Sequence, residues 1–323
     1  MAKSLGSFLA ALLIGWGVLG LAGILYARSK AIPGWAALPV VAAFLLEYPF
    51  YLVPAFPPLR ERLAGARLPI FALAAAVLPY LACCAGAISF TWTGLIRVSA
   101  LALALSLWFV VLPASRIVDA AYLALWAAVL LGRYFNPIYT PLHPEFHDLK
   151  NVIVIPHLSM ISIAVMALIL QRRVPETGYG FIPRRREWRI GMVHFLYFIP
   201  IGLPLALVMR AARLAAPKPI WYIAATFLGM LWVASLSEEF FVRGVLQQWM
   251  EDWTASRSGA LWTTSIIFGL LHLWLGGFPN FKLALVAAIL GWFCGHARNE
   301  ANSIRASMVT HALVATTWRA FFA

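Results

Sequence analysis

The chain has 323 residues, 63% of them hydrophobic and only 11% charged, whereas a soluble domain is roughly half apolar and a quarter charged. No soluble core hides that much apolar surface, so a polytopic membrane protein is implied. The formal net charge of +13 sits mostly between apolar runs, where Lys and Arg set membrane orientation and meet anionic headgroups. No zinc-finger, RNA-binding or basic-heptad signature accompanies it, which argues against a nucleic-acid partner.

A helix needs about 20 apolar residues to cross roughly 30 Å of hydrocarbon. Runs of this kind lie near 6–27, 35–57, 69–90, 95–114, 116–132, 152–170, 190–209, 220–240, 259–276, 281–297 and 303–322. Only helices and closed barrels satisfy the backbone in lipid. The expected fold is therefore all-α, a polytopic transmembrane bundle of about ten or eleven helices. The first run is long for a signal-peptide core and is expected to span. Cys83, Cys84 and Cys294 all lie within apolar runs and read as buried thiols, with no disulfide framework.

Two connections are long. Residues 133–151 are rich in Pro and His, and their HPEFH stretch at 143–147 has Pro144 between its histidines, which argues for a surface loop over a metal site. Residues 171–189 carry Arg172, Arg173, Arg184, Arg185, Arg186 and Arg189. With alternate loops on opposite sides, this loop, 59–68 and the N-terminus fall together on the cytoplasmic side. The Arg and Ala bias points to a bacterial chain, hence an inner-membrane location. No 20–50-residue repeat is evident.

Ionisable residues are sparse in the helices up to about 170, with Glu47 and Asp119 the main exceptions, and polar residues recur in every helix from 220 onward. This divides the chain into N-terminal transmembrane helices, 1–170, an arginine-rich loop with a connecting helix, 171–219, and a chemistry-bearing helical core, 220–323. Within that core, "SLSEEFFVRGV" places Glu238, Glu239 and Arg243 at membrane depth, where ions are costly and by default mark function. Glu239 and Arg243, four apart, share a helix face and are expected to pair, while Glu238 points about 100° away, toward a cavity between helices. The next helix offers Phe268 and His272 on one face, and the last places His311 among Ala, Val and Thr. Between them Ala287, Gly291 and Gly295 form a small-residue stripe that lets helices approach closely, with Arg298 at its end. One carboxylate and two imidazoles on packed helices suffice for acid–base or metal chemistry on water. A packed, hydrogen-bonded histidine and a helix-end salt bridge are the plainer alternatives. His296, beside Gly295, reads as a cap or headgroup contact.

In order and spacing these residues resemble the CPBP (ABI) family of intramembrane proteases, related to CAAX prenyl protease type II. Its EExxxR motif matches Glu238, Glu239 and Arg243; its FxxxH motif matches Phe268 and His272; its GxxxGxxR motif matches Gly291, Gly295 and Arg298. The fourth, His with Asn four later, is matched by His311, but residue 315 is Ala. The resemblance covers about 220–320 and implies an intramembrane endopeptidase acting on a membrane protein or peptide. It implies Glu238 as the water-activating base, His272 as its partner and His311 as an oxyanion donor or second water ligand, with Glu239 and Arg243 ordering the site. Thr316, Thr317, Asn299 and Asn302 are the residues near enough in sequence to replace the absent Asn.

No cofactor is expected if glutamate drives hydrolysis; if zinc is required, Glu238, His272 and His311 are its ligands, a two-His, one-carboxylate set. Two other classes compete. A CPBP-like membrane scaffold or immunity protein without proteolysis would tolerate loss of Glu238. A proton-coupled transporter would show paired, interrupted helices in two similar halves, whereas the ionisable residues here crowd into one third. No residue pattern specifies an oligomeric state.

Overall fold

The computed structural model describes residues 2–175 and 178–322. Among them there is no β-strand, only isolated bridges, Ile88 to Pro141 and Leu214 to Phe322. Eleven helices of 15 residues or more follow in order: α1 Ala2–Ser29, α2 Gly34–Leu52, α3 Arg67–Cys84, α4 Trp92–Val111, α5 Arg116–Leu131, α6 Val154–Leu170, α7 Arg185–Val208, α8 Ile220–Thr254, α9 Arg257–Leu271, α10 Phe281–Ala301 and α11 Ile304–Phe321. Each overlaps one expected run. Eight are long and apolar enough to cross a membrane. The other three are α5 and α9, with 16 and 15 residues, and α11, whose 18 residues include Arg305, His311 and Arg319.

The chain divides into two compact units, Met1–Val174 and Pro175–Ala323. In the first, α2 packs on α1 and α3, and α6 packs against α2, α3 and α4. The sequence of α6 suits that central place, since it is a run of Ile, Val, Met and Ala buried along most of its length. The face of α1 carrying Leu13, Ile14, Val18 and Leu21 is more than 60% exposed, the surface an apolar helix presents to lipid. Two carboxylates are buried in this unit. Glu47 accepts from Ser159 Oγ at 2.6 Å, and Asp119 takes Arg172 in a two-pronged bridge at 2.6 and 2.7 Å.

The second unit positions the motif residues read above. α10 is its hub, packed on α9, α7 and α11. α7, read from the sequence as a connector, is an integral helix here and also packs on α11. α9 starts on Ser256, whose hydroxyl accepts from the Gly259 amide, and α10 on Asn280, whose side chain accepts from Leu283, each supplying an acceptor to an otherwise orphaned amide. Between them the chain reverses through Gly276 and Gly277, with φ of 74° and 119°, values open to glycine and costly for other residues. At Gly269 a Cβ would stand 2.5 Å from the Ala284 carbonyl oxygen, so α9 and α10 touch backbone to backbone there.

Candidate active site

α8 is helical throughout, but its hydrogen bonding widens to the π pattern over Met230–Ser235 and again over Phe240–Leu246, leaving one α turn, Leu236–Glu239, between them. Such widened turns inside helices concentrate at functional positions. Here they flank the two adjacent carboxylates and change which side chains share a face.

Those carboxylates have different surroundings. Glu239 is fully buried, whereas the Glu238 side chain is 36% exposed and lines a cavity of about 300 Å³. His272, His311 and Ala315 line the same cavity, which is otherwise walled by apolar residues such as Phe198, Leu290 and Val314. His311 stands between the two glutamates: its Nδ1 is 2.9 Å from Glu239 Oε1 and its Nε2 is 3.8 Å from Glu238 Oε2. A carboxylate accepts, so Nδ1 of His311 is the donor, and its Nε2 faces Glu238. The gap to Glu238 exceeds a direct hydrogen bond.

His272 terminates α9, where the chain tightens into a 3-10 turn, His272–Trp274. Its Nδ1 lies 2.8 Å from the Phe268 carbonyl oxygen. A carbonyl also only accepts, so His272 holds its proton on Nδ1 and leaves Nε2 as the second ring nitrogen for other contacts. Both imidazoles therefore reach the cavity that Glu238 lines, each with Nδ1 already committed.

Behind them lies Arg243, fully buried. Its Nε is 3.7 Å from Glu239 Oε2, and its terminal amine donates to the Gly291 carbonyl at 2.8 Å. The expected pair is therefore present, held at ion-pair distance across the widened turn. Phe268 touches three members of the group: Arg243 sits 5.1 Å over its ring, His272 is tilted against it at 4.6 Å, and His311 meets it edge-on at 5.6 Å. The phenyl ring thus spaces the cation from both imidazoles. Gly291 is needed for the close approach, since a Cβ there would lie 3.0 Å from Arg243 and 3.3 Å from the Ser265 backbone. At Gly295 a Cβ would overlap Leu261 at 2.2 Å.

Arg298 stands apart from the cavity. It donates to Glu251 at 2.9 Å and to Asn299 at 3.0 Å, and fully buried Gln247 donates to the same Asn299. These contacts tie the end of α8 to the end of α10. Asn299 is thereby committed, Asn302 caps α10, and neither they nor Thr316 and Thr317 line the cavity. No amide therefore stands beside His311 in the place where Ala315 lies. His296 packs on Trp292, 4.1 Å between ring centres, in a different cleft. In the first unit His143 pairs with Glu145 at 3.1 Å. Among the described residues no group of three or more His, Cys, Asp or Glu is placed to hold a metal ion, and Cys83, Cys84 and Cys294 are free thiols.

Sequence reasoning missed Gln247 and read Asn299 only as a stand-in for the absent amide, not as the partner of Gln247 and Arg298. Arg319, which lines the cavity, was also missed: its position eight residues after His311 was legible, its orientation was not.

Length, apolar surface and helix content define a multi-pass membrane protein, with one carboxylate and two imidazoles lining one cavity. The family described as Type II CAAX prenyl endopeptidase Rce1-like matches residues 219–317. That segment contains every motif residue named above and is similar to the family whose motifs the sequence resembles. No curated protein and no solved structure matches the chain.

Proposed function

We propose that the protein is an intramembrane endopeptidase that hydrolyses a peptide bond of a membrane-associated or lipid-modified protein, with Glu238 activating the water. The observation that carries this reading is the contrast between the two neighbouring carboxylates. Glu239 is buried and committed to His311 and Arg243; Glu238 opens on a cavity with an imidazole 3.8 Å away.

The chemistry follows from these positions. A water held between Glu238 and the Nε2 of His272 loses a proton to Glu238 as its oxygen bonds to the scissile carbonyl carbon. The carbonyl electrons move to the oxygen, and the oxyanion is met by Nε2–H of His311 in its doubly protonated form. Glu239, accepting from Nδ1, compensates that imidazolium charge, and Arg243 in turn fixes Glu239, as the carboxylate of a catalytic triad fixes its histidine. Collapse breaks the C–N bond, and Glu238 returns its proton to the leaving amine. An acid and an amine are released and the site is restored. The apolar walls keep bulk water from screening the oxyanion contact. With Ala315 in place of an amide donor, that contact rests on His311.

On this reading hydrolysis needs no metal, and the substrate reaches the cavity from a bacterial inner membrane in which the N-terminus is cytoplasmic. The absent amide at Ala315 favours one rival, a CPBP-like scaffold or immunity protein that binds a partner without cutting it. Cleavage of a quenched fluorescent membrane peptide by purified protein separates the readings. Protease activity lost in Glu238→Ala and kept in chelator supports glutamate-driven hydrolysis. Activity lost in chelator as well moves the assignment to a zinc enzyme on Glu238, His272 and His311. Equal turnover by Glu238→Ala and wild type removes Glu238 from the mechanism, and peptide binding without cleavage supports the scaffold.

A further inference from the structure

A second cleft, of about 580 Å³, opens between α7, α9 and α10, distinct from the cavity that Glu238 lines. From α10 it takes Trp292, His296 and Glu300, four apart and so on one face, a different face from that of Gly291 and Gly295. Rings make up one wall. Trp262 of α9 lies 6.1 Å from Trp292, His296 packs on Trp292 at 4.1 Å, and His194 of α7 stacks on His296 at 6.4 Å. The charges stand at the helix ends: Arg257 is the first residue of α9, and Glu300 is the last but one of α10. The tryptophans lie further in, about 8 Å from Arg257 along α9 and about 12 Å from Glu300 along α10. The cleft therefore grades from charged to aromatic along the helix axes, in the order in which a bilayer passes from headgroups to chains.

This wall also holds groups that the protein does not satisfy. His194 is 7% exposed, and its Nε2 is 3.0 Å from Glu300 Oε2. A carboxylate accepts, so Nε2 carries the proton. Its buried Nδ1 is then an acceptor, and it has no hydrogen-bond partner among the described residues, an orphan that calls for a donor from outside the chain. Arg257 differs from the other exposed arginines of this unit in being fixed on the cleft wall: it donates to the Asn299 carbonyl at 2.9 Å and keeps further N–H donors for an anion. The side chain of Glu300 is 58% exposed at the same end.

We propose that this cleft binds a glycerophospholipid whose headgroup joins a phosphodiester to a primary ammonium, as in phosphatidylethanolamine. The phosphate oxygens take N–H donors from Arg257. The ammonium pairs with Glu300 and supplies the donor that Nδ1 of His194 lacks, while the glycerol end of the chains lies along Leu261, Trp262 and Trp292. An anionic headgroup without an amine leaves Glu300 without a cation, and a trimethylated ammonium has no N–H for either acceptor. The bound lipid braces α7, α9 and α10. Asn299, which also lines the cleft and accepts from Gln247, extends that brace to α8. The site is independent of the hydrolytic reading.

The test uses the full chain, purified in detergent, stripped of lipid and offered equal amounts of phosphatidylethanolamine, phosphatidylcholine and phosphatidylglycerol. Native mass spectrometry reads which lipid is retained, and melting temperature reads the brace. The wild type should retain one phosphatidylethanolamine about tenfold in preference to either other lipid and melt about 2–4 °C higher with it. Arg257→Gln should cut that retention about tenfold, and Glu300→Gln should bring phosphatidylethanolamine down to the level of phosphatidylcholine. Trp262→Ala removes an exposed ring and should weaken all three lipids alike while leaving the lipid-free melting temperature at the wild-type value, so a lost site is told from a damaged fold. Equal retention of the three lipids by the wild type overturns the proposal, as does a preference that survives both Arg257→Gln and Glu300→Gln. Preferred retention of phosphatidylglycerol also overturns it and assigns the cleft to anionic headgroups.

Discussion

The two units bury charge in opposite ways. In the first, Asp119 is 1% exposed, and both of its oxygens receive donors from Arg172 at 2.6 and 2.7 Å. In the second, Glu239 and Arg243 approach only to 3.7 Å, Glu239 spends its other oxygen on His311, and Arg243 gives a terminal amine to a backbone carbonyl. Nε and one terminal nitrogen of Arg243 are left without hydrogen-bond acceptors. A closed two-pronged bridge satisfies itself and stabilises the fold it sits in. The second network is divided among an imidazole, an aromatic face and a neighbouring helix, and its edge is a cavity. A buried network kept incomplete at low dielectric is costly, and the helix that carries it is widened on both sides of the glutamates. The comparison separates a charge pair that holds helices together from one that holds a reactive group in place.

Substitutions that strip one partner break the comparison most sharply. Arg243→Met leaves the Glu239 charge buried without its cation. It is expected to cost about 3–5 kcal/mol of stability, read as a large fall in melting temperature together with lost cleavage. Packing changes come next. Gly269→Ala drives a methyl against the Ala284 carbonyl of α10 and should cost about 1–3 kcal/mol, with cleavage falling because α9 carries His272. Asp119→Asn weakens the closed bridge by about 1–2 kcal/mol, since Arg172 is partly exposed; kcat per folded molecule should stay at the wild-type value. A changed kcat in that variant would show that the first unit's bridge also serves the chemistry. The smallest effect tests the cavity from within: Ala315→Asn adds an amide beside His311 and should raise kcat, up to about tenfold, a fraction of what a full oxyanion donor contributes.

What the sequence made legible followed from spacing along single helices. The eleven apolar runs each became a helix, because burial or lipid exposure of about 20 apolar residues leaves the backbone no other satisfied state. The pairing of Glu239 with Arg243 and the stripe through Gly291 and Gly295 were readable from four-residue spacing. Contacts between helices were not. That His311 reaches both glutamates depends on how α11 packs beside α8, and no periodicity in either helix records it. The widened turns were also hidden: Gly229 and Gly244 lie at or within them, but a single glycine in an apolar run does not by itself tell a widened turn from a close helix contact. Arg298 shows the limit of a motif: it lies in register with Gly291 and Gly295, yet its side chain leaves the cavity for Glu251.

The central claim is that adjacent Glu238 and Glu239 do different work, and one paired measurement tests it directly. Glu238→Gln and Glu239→Gln, purified side by side, are compared in melting temperature and in cleavage of a quenched membrane peptide. Glu238→Gln should melt like the wild type while its kcat falls by about 10²–10⁴, and Glu239→Gln should lose several degrees of melting temperature as well as activity. Wild-type turnover by Glu238→Gln, or an equal loss of stability in the two variants, would contradict the account.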